Sequence, residues 1–218
     1  GWALAAGDFN NDGRDDLAIS APYEDFSGIV DAGAVNVLYG TAAGLAAGGN
    51  QIWTQNTAGV LDVANAGDLF GLSLTAADFN RNGRDDLAIG VPYEDVGAAA
   101  NAGLVQVLYG SVTGLNAAGN QAWMQGIGGI LGGIAPNDLF GRTLASGDFD
   151  ANGNPDLAVG VPYEDLGAIA NAGVVHITRS NPAGLTAVAN QVFSENPAGI
   201  LGVAEANVYS GWALAGGN

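Results

Sequence analysis

A period of 70 residues runs through this 218-residue chain without an insertion or a deletion. Gly1, Gly71, Gly141 and Gly211 mark it, as do Asp8, Asp78 and Asp148, Pro22, Pro92 and Pro162, and Asn50, Asn120 and Asn190. A fixed period means that each unit is one supersecondary module, unable to bury its apolar faces alone and stacked on its neighbours. The units are 1–70, 71–140 and 141–210, and the segment GWALAGGN at 211–218 repeats the opening GWALAAGD.

Within a unit the apolar pattern is short and close to period two. Four strands are predicted per repeat: in the second, near 71–77, 85–90, 103–110 and 120–125. Gly, Pro, Asn and Asp punctuate them. Ala98–Ala102 is read as a brief helical turn, and no segment carries a helical stripe of useful length. Four strands per unit without helices indicate an all-β fold, a β-propeller made of four-stranded blades, three per chain. A parallel β-helix is the rival, but its rungs are shorter and require no four-strand subpattern. The chain as a whole reads as one propeller segment, with 211–218 a duplicated first strand.

The recurring acidic stretches DFNNDGRDDLAI, DFNRNGRDDLAI and DFDANGNPDLAV place oxygens on every second residue around a glycine. The alternate positions are Asp8, Asn10, Asp12, Arg14 and Asp16; Asp78, Asn80, Asn82, Arg84 and Asp86; and Asp148, Asp150, Asn152, Asn154 and Asp156. Calcium takes about 6–8 oxygens from carboxylates, amides, carbonyls and water, and alternation in a bent loop aims such donors at one point. Arginine at the seventh position can offer only its carbonyl. No Glu stands at position 12, so the loop is not an EF-hand. The competing reading is a turn held by its own side-chain-to-backbone hydrogen bonds. Three copies in register favour metal, about one Ca2+ per repeat. Site two carries carboxylates only at Asp78 and Asp86, with Arg81 and Arg84 nearby, and is expected to bind most weakly.

The formal charge of −17, with five arginines and no lysine, opposes contact with nucleic acid. No apolar run reaches the ~18 residues that span a bilayer, so no membrane insertion is expected. Cysteine is absent, which removes disulfides and thiol chemistry. The opening glycine suggests a mature or excised piece. An acidic chain that uses calcium suits a secreted or cell-surface setting.

These residues resemble the FG-GAP repeats of integrin α-chain β-propellers and their bacterial relatives. The Phe-Gly pair stands at Phe70-Gly71 and Phe140-Gly141. The Gly-Ala-Pro element corresponds to Ser20-Ala21-Pro22, Gly90-Val91-Pro92 and Gly160-Val161-Pro162. The resemblance implies a ring of blades, calcium in the loop joining the first two strands of a blade, and a role in adhesion and ligand binding. Two departures stand out: Tyr209-Ser210 replaces Leu-Phe at the last junction, and Asn218 replaces the leading Asp of a fourth loop. Three blades are fewer than the roughly 4–8 that close a propeller. Two chains meeting head to tail in a six-bladed homodimer are therefore expected, against the rival of a piece from a longer array.

The repeat also tests for catalysis, because a catalytic group should break it. His176 aligns with Asn36 and Gln106 and reads as a surface strand residue without a nucleophile partner; Met124 reads as an edge filler, and Glu195 and Glu205 as solvated. Glu24-Asp25, Glu94-Asp95 and Glu164-Asp165 recur, so a capping role is favoured over acid–base chemistry. Tyr23, Tyr93 and Tyr163 are expected between blades. Trp53 and Trp123 read as core, Trp2 and Trp212 as junction markers. The chain reads as a non-catalytic module that binds a protein. Two alternatives are a lectin-like carbohydrate-binding propeller and an accessory of a larger secreted enzyme.

Overall fold

The computed structural model describes residues 1–195 and 200–216. Twelve strands form three four-stranded antiparallel sheets, each a blade in simple meander order. The first blade holds β1 (Leu4–Gly7), β2 (Asp16–Ala21), β3 (Ala34–Thr41) and β4 (Gly44–Trp53). The second holds β5 (Ser73–Ala77), β6 (Asp86–Val91), β7 (Leu104–Ser111) and β8 (Gly114–Trp123). The third holds β9 (Thr143–Gly147), β10 (Asp156–Val161), β11 (Val174–Asn181) and β12 (Gly184–Phe193). The inner strand β5 lies against both β1 and β9, which makes this a three-bladed portion of a β-propeller.

Each fourth strand starts six residues earlier than the aromatic run suggests, because a Gly at positive φ (Gly44, Gly114, Gly184) closes a tight hairpin from the third strand. A register shift recurs between Val37 and Tyr39, Val107 and Tyr109, and Ile177 and Arg179. Such a bulge re-aims the next side chain. Ala98–Ala102 is not helical: a bridge between Val96 and Ala99 closes the loop, and the Asp95 carboxylate accepts the Asn101 N–H at 2.8 Å. Asp25 and Asp165 accept from Asp31 and Asn171 in the same way. The duplicated opening segment carries no strand over 211–216, and Asn218 lies outside the described residues.

Blades pack through the middle strands. Phe9, Phe70, Phe79 and Phe140 are fully buried between them. The strand β6 is buried on both faces, whereas β2 alternates between buried and half-buried because no blade precedes it. Trp53 is buried in the first junction and Trp123 packs against the second. Trp2 meets Tyr23 edge-on at 5.4 Å, while Trp212 joins Tyr163 and Tyr209 beneath the Arg142 guanidinium. His176 is not a surface residue. It is buried edge-on against Phe140, neither ring nitrogen has a partner, and burial lowers its pKa to about 4, so the imidazole stays neutral.

The junctions also hold carboxyls. Gln55 donates to Asp62 of its own unit at 3.0 Å and to Glu94 of the next blade at 2.8 Å, as Gln125 donates to Glu164 of the next blade at 2.8 Å. Glu94 and Glu164 of the recurring Glu-Asp pairs are therefore inter-blade acceptors, Glu24 is exposed, and the aspartates cap loops. Burial, then the facing Glu164 charge, raises Asp138 to about 7, and burial raises Glu164. A raised acid favours folding below its unfolded pKa, and that contribution is lost as pH rises through the folded value. With calcium chelated, the raised carboxyls should lower stability as pH climbs from 4 to 8, most steeply above about 6.5, where the opposite contribution of the buried neutral His176 is complete. Asp138→Asn should flatten the slope and add about 2 kcal/mol at pH 8, read by urea unfolding at both ends of the range.

Candidate metal centre

The three acidic loops join the first two strands of each blade, and their local geometry is the same. The leading Asp closes the loop on itself. Asp8 accepts from the N–H groups of Asp12 and Gly13 at 3.0 and 2.8 Å, Asp78 from Asn82 and Gly83 at 3.0 and 2.8 Å, and Asp148 from Asn152 and Gly153 at 3.0 and 2.7 Å. At the third position Asn10, Asn80 and Asp150 each accept the N–H two residues on. At the fifth, Asp12, Asn82 and Asn152 do the same. Gly13, Gly83 and Gly153 take φ near +80°, the bend that brings these oxygens to one side.

The ninth position differs in kind. Asp16, Asp86 and Asp156 open β2, β6 and β10, and all three are buried. One oxygen of each reaches across to the third strand, accepting from Gly40, Gly110 and Ser180 at 2.8, 2.9 and 3.1 Å. The other oxygen has a different fate in each blade. Asp16 Oδ2 accepts from Phe9 N–H at 3.0 Å, and Asp156 Oδ2 accepts from Arg179 Nη1 at 2.7 Å. Asp86 Oδ2 makes no well-formed hydrogen bond, although the Phe79 and Asn80 N–H groups lie close enough to oppose its pKa rise. Burial raises Asp86 to about 7, and the nearby Asp78 charge adds to the shift. Backbone N–H donors, Gly153 first, lower Asp148.

Among the described residues, the loop of the third blade brings three carboxylates together: one oxygen each of Asp148, Asp150 and Asp156 lies within 4.8 Å of the others. Its amides Asn152 and Asn154 face one another at 2.5 Å within the turn. In the first blade Asp12 is turned toward Arg14, 3.4 Å away, while Asn10 stays inside the loop. In the second, the Asn82 amide donates to the Gly110 carbonyl and Arg84 Nη1 to the Asn82 carbonyl, and Asp86 holds a buried oxygen without a well-formed hydrogen bond. An oxygen-only donor set, loop carboxylates with lone pairs to spare, and that buried carboxylate oxygen of Asp86 all suit a hard divalent cation.

Arg179 is a residue of this site that the reading of the loops passed over. It sits on β11, outside the loop, and bridges Asp156 and Asp150 at 2.7 and 3.4 Å. The repeat held the signal: Tyr39 and Tyr109 occupy the same position and donate to Gln51 and Gln121, as Arg179 Nη2 does to Gln191 at 2.8 Å, but only the arginine also bridges to the loop carboxylates. A guanidinium there competes with a cation for the same oxygens. Arg179→Tyr should tighten divalent binding at this loop about tenfold, as followed by calcium titration of the variant.

A family model described as the FG-GAP repeat matches residues 1–38, 70–108 and 140–178, more than half of the chain, and each match takes in one acidic loop with the strands on either side. This chain belongs to the FG-GAP repeat family. The FG-GAP chain is 31% identical over 186 residues to phosphatidylinositol-glycan-specific phospholipase D of Mus musculus, a match covering 84% of this chain and 20% of that protein. It is 30% identical over 183 residues to integrin alpha-6 of Gallus gallus, covering 83% and 15%. It is 33% identical over 171 residues to integrin alpha-PS2 of Drosophila melanogaster, covering 76% and 12%. The chain thus spans about a fifth or less of the length of these curated relatives. No helix among its described residues is long and apolar enough to cross a membrane.

Proposed function

We propose that this FG-GAP chain is a calcium-stabilised, non-catalytic propeller module that presents its loops to a protein partner at the cell surface or in secreted form. The observation that carries the reading is the convergence of Asp148, Asp150 and Asp156 in a loop whose backbone form recurs in the other two blades. Asp8, Asn10, Asp12, the Arg14 carbonyl and Asp16 would hold one ion, with Asp78, Asn80, Asn82, the Arg84 carbonyl and Asp86 holding a second. Asp148, Asp150, Asn152, Asn154 and Asp156 would hold a third. Bound there, calcium supplies charge neutralisation and ties the loop to the buried aspartate at the head of the second strand. Adhesion is supported by the integrin relatives.

Calorimetric titration of chelator-treated protein with calcium chloride tests the reading. Up to three ions should bind, and Asp148→Asn with Asp156→Asn should remove one. Absence of binding at millimolar calcium would end it. The weakest site is expected in the second blade on ligand charge, and Arg179 brings the third close to it. The phospholipase D relatives favour a second reading, an accessory propeller beside an enzymatic domain. Turnover by this chain alone would contradict both.

A further inference from the structure

We propose that the two outer faces of the three-bladed array are complementary, and that a second copy of this chain seats its first blade on the third blade of the first copy, twice over, to close a six-bladed ring. The repeat makes the inference quantitative. Leu115 and Leu185 are 1% and 3% exposed because the preceding blade covers them, while Leu45, at the same position of the first blade, is 49% exposed. Conversely, Phe9 and Phe79 are fully buried under the following blade, while Phe149 is 43% exposed. Leu4 is exposed where Leu74 and Leu144 are buried, and Ile200 is exposed where Ile130 is buried. Each outer face thus lacks the same cover that the two internal junctions supply.

The polar fittings are complementary as well. Gln51 and Gln121 donate to the carbonyls of Leu115 and Leu185 in the next blade at 2.9 and 3.0 Å. Asn120 and Asn190 reach back to the carbonyls of Gly59 and Gly129 and accept from Leu61 and Leu131. Asp85 accepts the Asp8 N–H of the blade before it at 2.9 Å. The third blade therefore offers Gln191, Leu201 and the Asp148 N–H, and the first blade offers Leu45, Asn50 and Asp15 as their counterparts. At the internal junctions Gln55 and Gln125 donate to Glu94 and Glu164, and Asp68 and Asp138 stand beside those glutamates. The third blade carries Glu195 and Val208 at these positions, so Glu24 of a second copy would meet one carboxyl, as at the second junction, but no amide donor. Six blades fall within the roughly 4–8 that close a propeller, and closure hides apolar edges that would otherwise aggregate.

The segment after the third blade already shows how the slot is used. Thr143 Oγ1 donates to the Gly211 carbonyl at 2.6 Å as Ser73 Oγ does to Gly141 at 2.8 Å. Ser210 N–H donates to Ala172 at 2.9 Å as Phe140 N–H does to Ala102. Residues 211–216 thus dock where the first strand of a following blade would lie. Because GWALA occurs at both 1–5 and 211–215, either copy fits that slot, and one of the two yields it when the ring closes.

Light scattering on the 218-residue chain at about 50 µM tests the ring. Twice the chain mass is expected; a monomer, or an open series of larger species, would overturn it. Leu45→Asp and Phe149→Asp alter exposed residues, so each variant should keep its circular dichroism yet run as a monomer, with dimer affinity reduced at least about a hundredfold. An equimolar mixture of the two should regain dimers, since one of its two junctions is then unaltered. A Phe149→Asp variant that stays dimeric while Leu45→Asp does not would instead show head-to-head pairing and refute the proposal. Removing 211–218 should leave the dimer in place. Phe149 stands between the loop residues Asp148 and Asp150, so its variant is compared in calcium and in chelator, whereas Leu45 lies on β4 outside the loops and tests the ring separately from the metal reading.

Discussion

Stripping calcium should lower the melting temperature of this chain by about 5–10 °C for each loop it empties. A site held at a hundred times its dissociation constant adds about 2.7 kcal/mol to folding, and a domain of this size gains roughly 2–4 °C per kcal/mol. The physical source is visible in the loops. Asp8, Asp12 and Asp16 share one short bend, as do Asp148, Asp150 and Asp156, and in each loop one carboxylate is buried at the head of a strand. Without a cation those charges repel one another across a poorly solvated space. The experiment is a thermal melt in calcium and in chelator. The loss should be smaller in Asp148→Asn/Asp156→Asn, which has one loop fewer to empty, and a melt indifferent to chelator would remove the metal from the account.

Replacing Gly103 by alanine should be among the most damaging single-methyl additions at the described glycines. Gly103 takes φ of +90°, and a Cβ there would overlap the backbone oxygen of Phe140 and lie 2.5 Å from its nitrogen. Neither atom can move aside. The Phe140 N–H donates to Ala102 at 2.9 Å, and its ring is fully buried in the second core cluster. Left-handed strain alone costs roughly 1–2 kcal/mol, and displacing a packed backbone adds a core overpacking term of about 1–3 kcal/mol. A loss of about 3–5 kcal/mol is expected, enough to unfold much of the population at ambient temperature. Gly97→Ala, at positive φ but in open space, is the control and should cost about 1 kcal/mol. Equal urea midpoints for the two variants would contradict this explanation of the Phe-Gly junction.

Gly33, Gly103 and Gly173 make the same close approach to residues 70, 140 and 210, the last of them Ser210 in place of Phe. The junction backbone is therefore kept even where the aromatic ring is lost. The Phe-Gly motif is a backbone arrangement first and a packing element second. The single left-handed residue before it (Leu69, Leu139 and Tyr209) belongs to the same turn.

The residues alone were enough to determine the 70-residue unit, the four strands within it, and the loop oxygens at alternate positions. All of these are local: a period of two, a glycine at the bend and an aspartate before a strand are written within a dozen residues. Strand ends were less legible, since the hairpins at Gly44, Gly114 and Gly184 depend on backbone conformation more than on hydropathy. His176 and Arg179 were read incorrectly or passed over, because a strand pattern distinguishes two faces and says nothing of what covers each. The same holds for the identical leucines Leu45, Leu115 and Leu185, of which one is exposed and two are buried. Their environments differ only in whether a blade precedes them. Only the tertiary structure decided which oxygens in each loop converge, where the junction carboxyls sit, and which two faces remain uncovered, because burial is a property of neighbours distant in the chain.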